Sequence, residues 1–304
     1  MIPVLDHSDR ALDPARFADR LGRACRETGF FLLTGHPVRQ ELVERTFAMG
    51  DALFALPEED KAPLDIAQSP HNRGWVRKGA EALDDAAGTA DRKEAFNIGL
   101  DLDEDDPRVV AGEPFRGVNV WPKIDGFRDT LTAYFDAVQR LGQDLLCAVA
   151  TDMALGERYF APHFDAPMST LRLLSYPPGT GAEGEIGAGA HTDYGALTLL
   201  MTDGEGGLQV RQRGGGWIDA PHVPGAFVVN IGDCLMRWTN GRYVSTPHRV
   251  LPPKRRRRSI AFFLDPNPDA MVAALPGTGP ARWPAVTAAD YLRSRLDATY
   301  GAGA

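Results

Sequence analysis

Cysteine is scarce in this 304-residue chain. Cys25, Cys147 and Cys234 stand far apart and form no Cys-x-x-Cys pair. An odd, scattered set excludes both a disulfide framework and a thiolate-rich zinc site, and leaves these residues as small apolar core groups. Long hydrophobic runs are missing too. No uninterrupted apolar stretch approaches the roughly 20 residues of a membrane-spanning helix. The start, Met1-Ile2-Pro3-Val4-Leu5-Asp6, has neither the basic cluster nor the apolar run of a secretory signal. Basic charge falls short of acidic charge, 33 Lys and Arg against 41 Asp and Glu, a net charge of -8. That balance argues against nucleic acid or an anionic membrane as partner. A cytoplasmic protein is expected, with its oligomeric state left open.

What is present suits a globular protein. Apolar residues make up 43% and charged residues 24%, enough for a sizeable core in one large domain or a domain with an extension. The first part mixes helix and strand. Ile2–Leu5 predicts a short strand, and Asp13-Pro14 opens a helix that carries Phe17, Leu21 and Ala24 on one face. Gly29–Gly35 encloses an apolar strand. A second helix carries Leu42, Phe47, Met49 and Leu53 before Pro57. Residues 80–90 and 101–106 read as exposed loops. The longest helix is expected over 126–154, one face laid against a sheet.

After residue 168 the pattern changes to short strands between Gly and Pro turns: Thr170–Tyr176, Ala196–Met201, Gly207–Val210, Ala226–Ile231, Arg242–Ser245 and Ser259–Leu264. A helix over Ala288–Tyr300 closes the chain. Such strand spacing fits a double-sheet jelly roll. The division expected is an N-terminal region over 1–120 and a jelly-roll core with its C-terminal helix over 121–304. The Gly-rich 179–189 stretch reads as a mobile loop, because no helix follows it to make a phosphate cradle.

Chemistry concentrates at His191-Thr192-Asp193 and the distant His248. Residues i and i+2 of a strand point to one side, so His191 and Asp193 can face one interior while His248 arrives from another strand. Two imidazoles and a carboxylate on one face of a metal, with the opposite face open, suit mononuclear Fe(II) better than a closed zinc site. An isolated His-x-Asp is more often a structural pair; the ordered set with Arg257-x-Ser259 is far more specific. Arg257 and Ser259 alternate in the same way, and a guanidinium beside a hydroxyl can clamp a carboxylate. Tyr176 can add a phenolic donor. The run Lys254–Arg258 reads as a solvated strand edge with one inward member.

Those segments resemble the isopenicillin N synthase-like branch of the Fe(II)- and 2-oxoglutarate-dependent dioxygenases. The resemblance rests on Gly29-Phe30-Phe31 with Gly35-His36, Lys93–Gly99, Leu171–Pro178, His191–Leu200, Asn230–Asp233, Arg237–Gly241, Ser245–Val250 and Arg257–Leu264, in family order over nearly the whole chain. It implies a mainly β fold with α: a distorted double-stranded β-helix (jelly roll), an N-terminal mixed region and a long supporting helix. It further implies that His191, Asp193 and His248 are catalytic iron ligands, and that Arg257, Ser259 and Tyr176 bind 2-oxoglutarate. The expected reaction consumes O2 and 2-oxoglutarate, releases succinate and CO2, and hydroxylates, desaturates or cyclises an unactivated carbon of a small molecule in specialised metabolism.

Arg172, Tyr194, Arg237 and Asn97 are candidates for the substrate pocket. An inward Arg172 suggests a carboxylate-bearing substrate, unless a core acid pairs with it. Trp75 and Trp238 read as packing residues. His36, His163 and His222 lie beside turns, and His7 and His71 read as surface residues. Two alternatives stay open. One is a 2-oxoglutarate-independent oxidase of the isopenicillin N synthase type, and the other a non-catalytic small-molecule binding protein on the same scaffold.

Overall fold

The computed structural model of the chain describes residues 1–83 and 91–300. In chain order its elements begin with β1 (Val4–Asp6), α1 (Asp9–Leu12), α2 (Pro14–Glu27), β2 (Phe30–Thr34), α3 (Gln40–Phe54), α4 (Glu58–Lys61), β3 (Gly74–Val76), β4 (Glu94–Ile98), α5 (Pro107–Val110) and α6 (Phe127–Asp152). Then follow β5 (Thr170–Tyr176), β6 (Ala188–His191), β7 (Leu197–Thr202), β8 (Leu208–Arg211), β9 (Trp217–Asp219) and β10 (Phe227–Ile231). The last are α7 (Asp233–Trp238), β11 (His248–Val250), β12 (Arg257–Leu264), β13 (Met271–Val272), β14 (Val286–Thr287) and α8 (Ala288–Tyr300).

An eight-stranded sheet runs β1-β2-β10-β7-β12-β5-β4-β3 and faces a four-stranded sheet, β6-β11-β8-β9. Apart from the parallel β1–β2 pair, the ladders are antiparallel. Alternation divides the large sheet into two apolar faces. Phe31, Leu33, Leu171, Leu173, Leu199, Val229 and Phe262 belong to the core shared with the helices. Phe30, Leu32, Leu174, Tyr176, Val228 and Ala261 belong to the core shared with the small sheet. Burial on both faces explains why these strands read as continuous apolar runs.

The helices form where the sequence supplies both ends and a face. Asp13 accepts a hydrogen bond from the Arg16 amide (3.0 Å), and Pro14 occupies the first turn of α2. Gly29, at φ +67°, turns the chain from α2 into β2; a β-carbon there would stand 2.3 Å from the Val244 carbonyl oxygen. The 26-residue α6 lays Leu131, Phe135, Val138, Leu141 and Leu145 against the large sheet, with the Phe135 and Phe262 rings edge to face at 5.0 Å.

The jelly-roll architecture agrees with the sequence. Several elements do not follow the expected boundaries. Residues 242–245 form no strand: Asn240 (φ 53°) and Gly241 (φ 77°) turn the backbone after α7, and the Tyr243 amide donates to Thr239 Oγ1 while that of Val244 donates to the Cys25 carbonyl. The second His strand is therefore β11, starting at His248. Strands β3, β4 and β9 and helix α7 emerge where none was expected, and the strand expected through His191-x-Asp193 is realised as β6, which ends at His191. The 179–189 stretch already becomes strand at Ala188, and the Glu185 carboxylate accepts from the amides of Thr180 and Gly181 within it. Most of the expected loop at 80–90 lies outside the described residues. His7 and His71 are half-buried rather than exposed.

Candidate metal and cosubstrate site

His191 closes β6 and His248 opens β11, and the two are direct register partners across that antiparallel pair. Opposed strand positions hold side chains within about 5 Å of each other, and these rings lie 4.4 Å apart. Asp193 departs from the simple strand expectation. Strand β6 ends at His191, and Asp193 sits in the connection to β7, where its carbonyl accepts the Asp233 amide (2.8 Å). The bend still brings its carboxylate to the imidazoles: Oδ1 lies 3.7 Å from Nε2 of His191 and 3.7 Å from Nε2 of His248.

The surroundings fix which atoms face inward. Nδ1 of His191 pairs with the Gly189 carbonyl (2.8 Å) and Nδ1 of His248 with that of Thr246 (3.3 Å), leaving both Nε2 atoms for the centre. Asp193 Oδ2 accepts from Thr198 Oγ1 (2.5 Å) and Asn230 Nδ2 (2.7 Å), leaving Oδ1 for the same centre. Thr198 and Asn230 are themselves register partners on β7 and β10. Metal bonds of about 2.1 Å span donor separations of this order, and orientation by outer hydrogen bonds is characteristic of metal ligands. The donor set fits one divalent ion.

Electrostatics agrees. Burial, reinforced by the adjacent His248, lowers His191 to about 4, so its imidazole is neutral and able to ligate at physiological pH. Burial alone would raise Asp193. The two imidazoles and the Asn230 and Thr198 hydrogen bonds outweigh it and hold the carboxyl below its ordinary value.

A cavity of about 160 Å³, far more than one water needs, runs from the triad between the sheets. Arg257, Ser259 and Tyr176 line it. Arg257 is register-paired with Tyr176 and stacks over its ring, Cζ 5.0 Å from the centroid. Its Nη1 donates to Ser259 Oγ at 3.2 Å, while Nε is buried without a partner. Among the described residues no carboxylate lies within 4.0 Å of this guanidinium, which is 1% exposed. A buried cation without an anion is costly, so the arrangement calls for an anionic ligand. The neighbouring arginines turn outward: Arg258 and Arg256 pair with Asp51 (2.6 and 2.8 Å) and Arg255 with Glu205 (3.0 Å).

Asn97, Arg172 and Tyr194 also line the cavity. Arg237 does not; it donates to the Pro284 carbonyl and stacks over Trp283 and Tyr291. Arg172 is paired with Glu81 (2.5 Å), which also lies 3.1 Å from Lys93, itself bonded to Asp91. Of the two readings open for Arg172, the acid partner is the one realised. Trp75 and Trp238 are packing residues, each donating its indole N–H, to Glu94 and to the Met271 carbonyl.

Sequence reasoning missed Thr198, Asn230, Asp265 and the α8 residues Leu292 and Leu296, all of which line the cavity. A polar residue inside an otherwise apolar strand, as in Leu197-Thr198-Leu199 or Val229-Asn230-Ile231, was the available signal. Asp265 carries no such mark.

Two family models match the chain: the N-terminal region of non-haem dioxygenases in morphine synthesis over residues 2–124, and the 2OG-Fe(II) oxygenase superfamily over residues 152–266. The chain is 36% identical to the 2-oxoglutarate-Fe(II) type oxidoreductase hxnY of Emericella nidulans, over 98% of this chain and 90% of that one. It is 33% identical to homoarginine-6-hydroxylase of Arabidopsis thaliana, over 90% and 87%. Full-length Neurospora crassa T7H, solved with alpha-KG and thymine, superposes with a TM-score of 0.86 at 32% identity, covering 98% of this chain and 96% of that one. With the fold and the His-Asp-His centre in place, these matches show that the chain belongs to the Fe(II)- and 2-oxoglutarate-dependent oxygenase superfamily and is an enzyme of that class.

Proposed function

We propose that His191 and His248, through Nε2, and Asp193, through Oδ1, are the iron ligands of this oxygenase, and that Arg257, Ser259 and Tyr176 hold the distal carboxylate of 2-oxoglutarate. The buried, acid-free guanidinium of Arg257 beside the triad carries this reading. Iron and 2-oxoglutarate together supply the oxidising power, with succinate and CO2 as the cosubstrate's products. The protein's part is positioning. Thr198 and Asn230 hold Asp193 with one oxygen inward, the Gly189 and Thr246 carbonyls fix the tautomers of the imidazoles, and the apolar Leu174, Leu200 and Ala261 exclude water between clamp and triad. Ser259 beside Arg257 gives the clamp a second donor, which discriminates a carboxylate from a neutral group.

In this reading residues 1–120 supply the outer strands β3 and β4 of the cavity wall, and 121–304 supply the ligands and the clamp. The substrate is a small molecule, and Tyr194, Asn97 and Arg172 stand at its end of the cavity. The Arg172–Glu81 pair weakens the case for a carboxylate-bearing substrate. Cytoplasmic placement fits the free thiols of Cys25, Cys147 and Cys234, and no described helix is long and apolar enough to cross a membrane. A small-molecule screen under Fe(II) that follows succinate formation tests the reading. Consumption of 2-oxoglutarate coupled to substrate, abolished by Asp193→Ala, is expected. Oxygen uptake without 2-oxoglutarate turnover would overturn it in favour of an oxidase of the isopenicillin N synthase type.

A further inference from the structure

We propose that Asp265 selects the substrate, accepting a hydrogen bond from an N–H of an uncharged molecule; this rests on the clamp and triad assigned above. The inward face of β12 carries Arg257, Ser259, Ala261 and Phe263, and Asp265 stands just past its end. The clamp therefore occupies one end of the cavity and Asp265 the other. Asp265 is buried at 6% exposure and lines the cavity. Among the described residues its carboxyl takes part in no ion pair within 4.0 Å and in no hydrogen bond with a protein donor. Its seat is built: a β-carbon at Gly195 would lie 2.1 Å from Asp265 Oδ1, so the glycine two residues after a proposed metal ligand makes room for this carboxyl.

The surrounding groups narrow the ligand. Asn97, facing Arg172 across β4 and β5, has its Oδ1 buried without a donor. Two acceptors thus lack partners at this end. The cations there are already engaged, Arg172 with Glu81 and Lys93 with Asp91 and Glu81. A carboxylate finds no acid-free cation on this side. A cationic ligand is disfavoured as well, because Arg172 and Lys93 both line the cavity. An uncharged N–H donor satisfies the acceptors without adding charge. The ring of Tyr194 with Phe263, Leu292 and Leu296 supplies apolar walls for the body of such a molecule.

The test is calorimetric binding, without oxygen, to protein loaded with Fe(II) and 2-oxoglutarate. The probes are glutarimide and 2-piperidone, their N-methyl forms, butyrate and butylguanidinium. The N–H probes should bind at least about tenfold more tightly than their N-methyl forms, the scale of one lost hydrogen bond. Asp265→Leu should erase that preference, while Asp265→Asn, which keeps an acceptor oxygen, should retain part of it. Equal binding of the N-methyl forms overturns the proposal on the unaltered protein, whatever the variants do. Tighter binding of butyrate or butylguanidinium, no saturable binding of either N–H probe, or a preference that survives Asp265→Leu overturns it too. The preceding 2-oxoglutarate titration reports on the clamp separately: a protein that fails to bind 2-oxoglutarate breaks the clamp assignment, whereas one that binds it and ignores the N–H fails this inference alone.

Discussion

Asp193 shows how much of the centre is decided outside the proposed ligands. One carboxylate oxygen is committed to Thr198 and Asn230 and the other is held toward two imidazoles. Replacing Asn230 with Leu removes one of the two donors and leaves the carboxylate freer to rotate. Metal affinity, measured by competition with a chelator, should fall about 10–100-fold with the fold retained; an unchanged affinity would show that Thr198 alone suffices. Asp265 makes a second prediction. Burial first, then the nearby Asp193, raise its carboxyl to about 8 against the opposing pull of Arg73. Between the ordinary value of 3.8 and about 8 the folded state holds a proton that the unfolded state has released, so this group's contribution to stability falls as pH rises through that window. Asp265→Asn removes the dependence. The metal-free variant should gain thermal stability over the metal-free parent as pH rises from about 4 to about 8, and a gap that stays constant would contradict the shift.

Elements β4, β5 and β6 meet at the buried group of Asp91, Lys93, Glu81 and Arg172. Asp91 accepts the Gly189 amide of β6 at 2.8 Å and also bonds Lys93, so the strand that ends in His191 is anchored through these charges. Lys93→Met leaves two buried carboxylates short of a cation. The expected cost is about 3–5 kcal/mol in chemical denaturation, and a loss below about 1 kcal/mol would mean that Arg172 compensates. This anchoring was not legible in the sequence, because the partners are distant along the chain and none carries a periodic signal. The helices and the long strands were legible: Asp13-Pro14, the α6 repeat and the apolar runs of β5, β7, β10 and β12 each carry a local cause. Short strands such as β3 and β9 depend on neighbours supplied by the fold. The expected strand at 242–245 failed for the opposite reason, its apolar residues being used against α2 and α6 after a left-handed turn. At the site, alternation along β12 made the shared face of Arg257 and Ser259 legible, and the His191-x-Asp193 spacing made their convergence legible although Asp193 reaches it from a bend beyond β6, whereas Asp265, Leu292 and Leu296 approach from elements whose docking only the fold defines.

At the scale of the whole molecule the two sheets differ in independence. The eight-stranded sheet is covered by α2, α3 and α6 on one face and by the small sheet on the other, whereas β6 and β11 are strands of only four and three residues. The paired positions of His191 and His248 give the metal a mechanical meaning. An ion held there would be a removable rivet through two short neighbouring strands, with Asp193 fastening the loop behind them. Chelation should then loosen one edge of the jelly roll while sparing its spine. Amides of β6 and β11 should exchange hydrogen faster once the metal is stripped, and those of β7, β10 and β12 should keep their protection. Uniform loss of protection would mean that the ion stabilises the protein as a whole. A local loss would make iron status readable in the stiffness of one corner of the molecule.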